Sequence, residues 1–158
     1  MVSTARAVVA AVVDPELRVV TIDELGILRD VTNDPNTGRV TVTITPTYSG
    51  CPAMDVIRAD IRRALAAAGH ADADVVTVLR PAWSTDMIND AGRAKLAAAG
   101  IAPPQATRSN AVALTLSVKC PRCGSADTEE ISRFGSTACK ALRRCRACAE
   151  PFDHVKRL

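Results

Sequence analysis

Six cysteines carry most of the chemistry open to this chain of 158 residues, and four of them form two Cys-x-x-Cys turns. Cys120 and Cys123 stand in KCPRCGS and Cys145 and Cys148 in RCRACAE, with 21 residues between the pairs. A Cys-x-x-Cys turn brings two sulfurs to one ion from a tight loop, and two such turns complete the tetrahedron that Zn²⁺ takes with thiolates. Gly124, directly after the first turn, permits a backbone that points amides at the sulfurs. Four thiolates also suit iron or a cluster, so the spacing alone leaves the metal open. The last third of the chain has too little apolar mass to fold unaided, so the ion there is expected to be a structural staple.

A different chemistry is expected at Cys51, in TPTYSGCPAMD. A strand ends at Thr45, a Pro/Gly loop follows, and the thiol falls at the N-cap of a helix that begins with Pro52. Free N–H groups and the positive end of the helix dipole favour thiolate over thiol there. Such a sulfur suits a nucleophile, a redox thiol or a soft-metal ligand, set against an inert cysteine capping a turn. Asp14 and Glu16 flank Pro15, and with Asp23 and Glu24 they offer hard oxygen ligands or a partner contact. The plainer role for Asp14 is to cap a turn. Cys139, six residues before the second knuckle, reads as an alternative ligand, a supporting group or a packed side chain. His70 and His154 read as surface residues, and Trp83 as an anchor between strand and helix.

The elements that must hold these groups follow from periodicity. A helix is expected over Ala5–Val13, ending before Asp14–Pro15 because the residue before proline avoids the α region. Leu25–Val31 and Arg39–Thr45 read as a β-hairpin across the turn-rich Asn33–Gly38, with Val40, Val42 and Ile44 on one face and Thr41, Thr43 and Thr45 on the other. Pro52–Ala68 is the clearest helix, its stripe Met54, Ile57, Ile61, Leu65 and Ala68, its stop Gly69. Asp74–Leu79 reads as a strand, Asp86–Ala99 as a helix and Ile101–Asn110 as a linker. Strands are then expected at Val112–Val118, Thr128–Phe134 and Phe152–Val155. The fold class is α+β: a small mixed sheet packed by helices over residues 1–104, then a β-rich ribbon over 105–158.

Composition narrows the functions. No run of about 18 apolar residues exists to span a membrane, and six cysteines without a secretory signal point to the reducing cytoplasm. Residues 1–110 carry 11 Lys/Arg and 12 Asp/Glu, residues 111–158 carry 9 and 5, so the tail is basic at +4. That surplus suits nucleic acid, but it also suits compensation of a zinc–tetrathiolate by Lys119, Arg122, Arg144 and Arg146. No pair of Glu-x-x-His segments is present for a di-iron carboxylate site, and no G-x-G-x-x-G loop for a dinucleotide.

DPELRVVTIDELGILRDV followed by TPTYSGCPAMDVI resembles the iron–sulfur cluster assembly domain of cytosolic cluster-targeting and SUF-associated proteins, over roughly residues 5–100. With PAWSTDMI and FGSTACKALRRCRAC added, the whole chain resembles the D subunits (PaaD-like) of the bacterial phenylacetyl-CoA epoxidase, or phenylacetate-CoA oxygenase, system. The resemblance implies an accessory protein and not the oxygenase. It places Cys51 at the family's characteristic cysteine and Asp14-Pro15-Glu16 at its acidic triplet, and it makes the ribbon cysteines zinc-type knuckles. It implies that Cys51 handles iron or an iron–sulfur cluster transiently. The implied partners are the di-iron oxygenase and the iron–sulfur flavoprotein reductase, with a homodimer also open. Arg143 departs from the pattern, where an aromatic residue is more usual. The competing readings are a non-enzymatic scaffold, a nucleic-acid-binding ribbon, and a thiol oxidoreductase that would lack a resolving cysteine.

Overall fold

A computed structural model of the chain describes residues 2–104 and 117–157. These pack as two compact units, Met1–Gly92 and Arg93–Leu158. The sequence placed the change of unit at 104/105; in the structure the segment from Arg93 onward groups with the ribbon.

In the first unit, helix α1 (Val2–Ala10) is followed by strands β1 (Leu28–Asn33) and β2 (Val40–Ile44), helix α2 (Ala53–Ala67) and strand β3 (Ala73–Thr77). β1 pairs antiparallel with β2, and β2 pairs parallel with β3, giving the mixed order β1-β2-β3. A parallel neighbour needs a crossover, and α2 supplies it. Val40, Val42 and Ile44 are fully buried, and the α2 stripe Met54, Ile57, Ile61 and Leu65 is buried too. Burial of each such side chain contributes about 1.5–3 kcal/mol. Ala68 lies outside this stripe and is exposed, and Ala53 is buried instead.

Local chemistry sets the element ends. α1 stops at Ala10, and Val13 instead bridges Thr21. The β1 strand starts three residues later than expected, because Leu25 and Gly26 close turns onto Thr21 and Asp23 and Gly26 has a φ of 72°. The hairpin turn is tied by Asp34, whose carboxylate accepts the Asn36 N–H at 2.8 Å. That bond is the main reason its pKa is lowered. The helix expected at Asp86–Ala99 is split into a 3₁₀ turn, Thr85–Met87, and α3, Asp90–Ala98. Ile88 is extended, and Asn89 Oδ1 caps the new start by accepting the Gly92 N–H at 2.8 Å. Trp83 is buried and donates its Nε1–H to Leu25 O at 2.8 Å, which ties it to the turn before β1 and not between a strand and a helix as expected.

In the second unit, strands β4 (Ile101–Ala102), β5 (Thr128–Ser132), β6 (Lys140–Cys145) and β7 (Pro151–Val155) form a sheet of order β4-β7-β6-β5. Ile101–Ala102, expected to be linker, is a short strand parallel to β7. The expected strand Val112–Val118 lies outside the described residues except for its last two. β6 was not anticipated, because Arg143 and Arg144 break its apolar alternation. Ala102, Cys120, Cys145 and Phe152 make the small core, with Val118 packed against it. No helix among the described residues is long and apolar enough to cross a membrane.

Candidate metal centre and a separate thiol

The two knuckles are built alike. Cys120 N–H donates to Ser125 O, and Cys145 N–H to Glu150 O, each at 2.9 Å. Each turn closes through a left-handed residue directly after its second cysteine: Gly124 with φ 75° in one and Ala149 with φ 62° in the other. Glycine adopts that conformation freely, whereas alanine there costs about 1–2 kcal/mol. Cys120 and Cys145 are buried in the small core, while Cys123 and Cys148 face outward.

The four sulfurs lie within 4.8 Å of one another, with Cys120–Cys148 at 3.8 Å and Cys123–Cys145 at 3.5 Å. A tetrahedron with Zn–S bonds of about 2.3 Å has edges of about 3.8 Å. Donor type, number and spacing therefore fit Zn²⁺ held by Cys120, Cys123, Cys145 and Cys148. Four protein ligands close the coordination sphere, so the ion would supply a crosslink between the knuckles and no open position. The backbone already prepares one sulfur for this. The Cys148 N–H, 3.5 Å from Cys145 Sγ, is the chief cause holding the Cys145 thiol down to about 7. At Cys123 the Ser125 amide pulls the pKa down, but the adjoining sulfur of Cys145, desolvation and the other two cysteines push it up to about 12. Metal binding must displace those protons, so it is favoured by rising pH.

Cys139 does not belong to this group. It precedes β6 while Cys145 ends it, and six residues of strand span about 20 Å. Its sulfur is buried and contacts Thr137 Oγ1 at 3.1 Å, so it is a packed side chain. The arginines around the knuckles carry ion pairs. Arg122 meets Glu150 at 2.8 Å, Arg144 and Arg146 meet Glu129 at 2.5 and 2.9 Å, and Arg146 also approaches Asp127 at 3.9 Å. Their charge is taken up by carboxylates first, which weakens both the compensation of a thiolate site and a nucleic-acid surface. Arg143 lies opposite Phe152 on the neighbouring strand. Its side chain donates to Thr128 O at 3.3 Å and faces Glu130 at 3.7 Å, while its Nε is buried without a partner. His154, two pairs along and opposite Ala141, is half-buried rather than on the open surface. Burial, then the Arg143 charge, lowers its pKa to about 4 against the opposing pull of Glu130.

Cys51 is a separate free thiol, partly exposed, in the loop from β2 to α2. Pro52 takes the N-cap position, so Cys51 stands one residue further out than expected. Its carbonyl still accepts the Met54 N–H at 3.2 Å, and its own N–H donates to Tyr48 O at 3.3 Å. Sequence periodicity missed Thr45, which it set on the polar face with Thr41 and Thr43. Thr45 is buried at 1% exposure, and its hydroxyl has no hydrogen-bond partner. The strand ends at Ile44, so alternation lapses at the first residue of the Cys51 loop. That end, beside Pro46, is the signal in the sequence.

Asp14 is buried and organises its own loop. Its Oδ1 accepts the N–H of Glu16 at 2.9 Å and of Leu17 at 2.7 Å, and its carbonyl accepts that of Arg18. This is the turn-capping role. Glu24 forms a reciprocal capping box with Thr21, at 2.9 and 3.2 Å, and Asp23 meets Arg6 at 3.6 Å. These bonds give Glu24 a capping role and Asp23 an exposed ion pair. Glu16 is half-buried in the same loop as Asp14.

Residues 3–79 match the family described as iron-sulfur cluster assembly protein, and residues 104–156 match the PaaD zinc beta ribbon domain. A protein of Escherichia coli strain K12, provisionally named as the D subunit of 1,2-phenylacetyl-CoA epoxidase, is 47% identical over 150 residues, covering 95% of this chain and 89% of that one. The Fe-S protein maturation auxiliary factor YitW of Bacillus subtilis strain 168 is 38% identical over 79 residues, 49% of this chain and 76% of its own. A crystal structure of a domain of unknown function, DUF59, from Bacillus anthracis superposes with a TM-score of 0.55 at 32% identity, over 60% of this chain and 90% of that one. An assembly-type α+β unit and a four-cysteine ribbon in one chain, matched along nearly its full length, show that it belongs to the family of phenylacetyl-CoA epoxidase D subunits.

Proposed function

We propose that this protein is a maturation factor for the metal cofactors of a phenylacetyl-CoA epoxidase, acting through Cys51 in the cytoplasm. The observation that carries the reading is the separation of its thiols. Four are committed to one closed site, and Cys51 stands apart, partly exposed, in a loop of its own. A single thiolate is a poor permanent holder of iron or a cluster. It is a good transfer ligand, because release breaks one protein–metal bond. In this reading iron or an iron–sulfur cluster is cargo, and the remaining ligands come from the receiving protein. The receivers are the di-iron oxygenase and the iron–sulfur flavoprotein reductase. Asp14 holds the acidic loop in shape, and Glu16 presents its carboxylate to cargo or receiver. The role for which the Bacillus subtilis relative is named, maturation of Fe-S proteins, supports the assignment.

The scaffold reading draws support from Ile131 in β5 and Phe134 just after it, which are 52% and 70% exposed. It predicts co-purification without any need for Cys51. Complementation separates the two. Cells lacking the wild-type protein and supplied with Cys51→Ser should lose substrate-dependent epoxidation, with the epoxidase subunits present but under-loaded with iron. Full epoxidation by Cys51→Ser would overturn the transfer role.

A further inference from the structure

The loop from β5 to β6 presents Phe134 to solvent and holds it there. Ser132 Oγ donates to Phe134 O at 2.9 Å and accepts the Phe134 N–H at 3.2 Å. Gly135 N–H donates to Lys140 O at 2.7 Å. Just after β7, Lys156 sets its ammonium 4.8 Å from the ring centroid and donates from it to Arg133 O at 3.1 Å. Lys140 is buried and paired with Asp153 at 3.3 Å, and Ser136 Oγ donates to the same carboxylate at 3.5 Å. A Cβ at Gly135 would come 3.1 Å from Asp153 Oδ1 and 3.3 Å from Lys140 Cβ, so the loop sits closely on β6 and β7. An exposed aromatic side chain by itself is ordinary. One tied at its backbone on both sides and against a ring face has already lost its freedom, so binding through it costs little further ordering.

The charges beside this ring differ from those at the knuckles. Arg122, Lys140, Arg143, Arg144 and Arg146 each meet a carboxylate. Arg133, exposed, and Lys156, half-buried, meet none among the described residues. Two uncompensated positive charges therefore flank Phe134. Ile131, at the bulge of β5, adds exposed aliphatic surface from the same segment. The surface that complements this one is an apolar pocket rimmed by carboxylates. A nucleic-acid strand is the poorer match. Lys156 already takes one face of the ring, and two cations make no track for a phosphate backbone.

We propose that Phe134, with Arg133 and Lys156 beside it, is the anchor by which the ribbon docks on an epoxidase subunit, its ring in an apolar pocket whose rim carries Asp or Glu. The proposal rests on the chain working beside epoxidase subunits, and not on what Cys51 does. Aromatic side chains and arginine are the types enriched where protein interfaces are most buried. The anchor stands at the end of β6 away from the metal site, since Lys140 begins that strand and Cys145 ends it. The zinc-type knuckles therefore stay closed and untouched while the other end of the ribbon holds the partner.

Binding of the full zinc-loaded chain to the purified epoxidase subunits, measured at about 50 and about 300 mM salt, tests the anchor. The wild type should bind, and more weakly at the higher salt. Phe134→Ala should weaken binding by about tenfold or more at both, and Phe134→Tyr should keep most of it. Arg133→Glu should weaken binding at low salt and much less at high salt. Cys51→Ser should bind as the wild type does, which separates docking from cargo transfer. Both anchor positions are exposed, and one zinc per chain with an unchanged melting temperature checks that each variant is folded. No binding by the wild type, or Phe134→Ala and Arg133→Glu binding as the wild type does, would overturn the proposal. So would a Phe134→Ala chain that loses affinity for a single-stranded oligonucleotide and not for the subunits.

Discussion

The body and the ribbon use sulfur in opposite ways. In the ribbon, two turns of the same build bring four thiols within 4.8 Å, with Cys120 and Cys145 forming part of the core itself. In the body, about ten fully buried aliphatic side chains already make a core, and Cys51 is left at its margin. The difference teaches where a metal can be removed. A site that replaces a missing core cannot give up its ion without unfolding, whereas a thiol outside a finished core can bind and release with the fold unchanged.

Removing zinc should break the comparison most sharply. Chelation should cost the ribbon an apparent stabilisation on the order of 10 kcal/mol and unfold it, while the body keeps its structure. Hydrogen exchange before and after chelation reads this directly, with protection lost in β5–β7 and kept in β2 and α2. Next in size is Phe152→Ala. It empties the small core that backs Cys120 and Cys145 and should destabilise the ribbon by about 3–5 kcal/mol, seen as a lower melting temperature for that unit alone.

Acid should act on the same unit. His154 is held neutral, with a folded pKa near 4 against an ordinary 6.5. Its contribution to stability is present above 6.5 and is lost as pH falls from there through about 4. Denaturant midpoints of wild type and His154→Gln between those limits should converge as pH falls. A smaller effect of opposite sign is expected at the second knuckle. Ala149→Gly relieves a left-handed alanine and should stabilise the zinc-loaded ribbon by about 1 kcal/mol, while the matching Gly124→Ala should destabilise it. Smallest of all, Cys51→Ser should move the stability of either unit by no more than about 0.5 kcal/mol in a denaturant titration. A large loss would return Cys51 to the fold.

Much of this was legible in the chain itself. Thiolate spacing is set by covalent geometry, so the four ribbon ligands could be read without a fold. The α2 stripe and the β1–β2 hairpin follow from strong periodicity and from the turn chemistry of Asp34 and Gly38. What escaped depended on contacts distant in sequence. β6 is held by neighbours on both sides, and its arginines lie against Glu130 and Glu129, which no alternation rule anticipates. Thr45 is polar by type yet buried by the loop that follows it. For Asp14, Glu16, Asp23 and Glu24 the sequence left capping, the plainer role, beside oxygen ligation or a partner contact, because carboxylates at loop starts serve capping and coordination equally well. Only the amides at 2.9 and 2.7 Å from Asp14 Oδ1, and those exchanged between Thr21 and Glu24, show where capping operates.

The central claim is that structural zinc and transferable iron occupy different sulfurs, and elemental analysis tests it most directly. Wild type and Cys51→Ser, each co-expressed with the epoxidase subunits and purified without oxygen, would be assayed for zinc, iron and acid-labile sulfide. The account predicts one zinc per chain in both proteins, with iron or sulfide in the epoxidase subunits falling only beside Cys51→Ser. Iron in place of zinc at the four-cysteine site, or epoxidase subunits fully loaded beside Cys51→Ser, would contradict it.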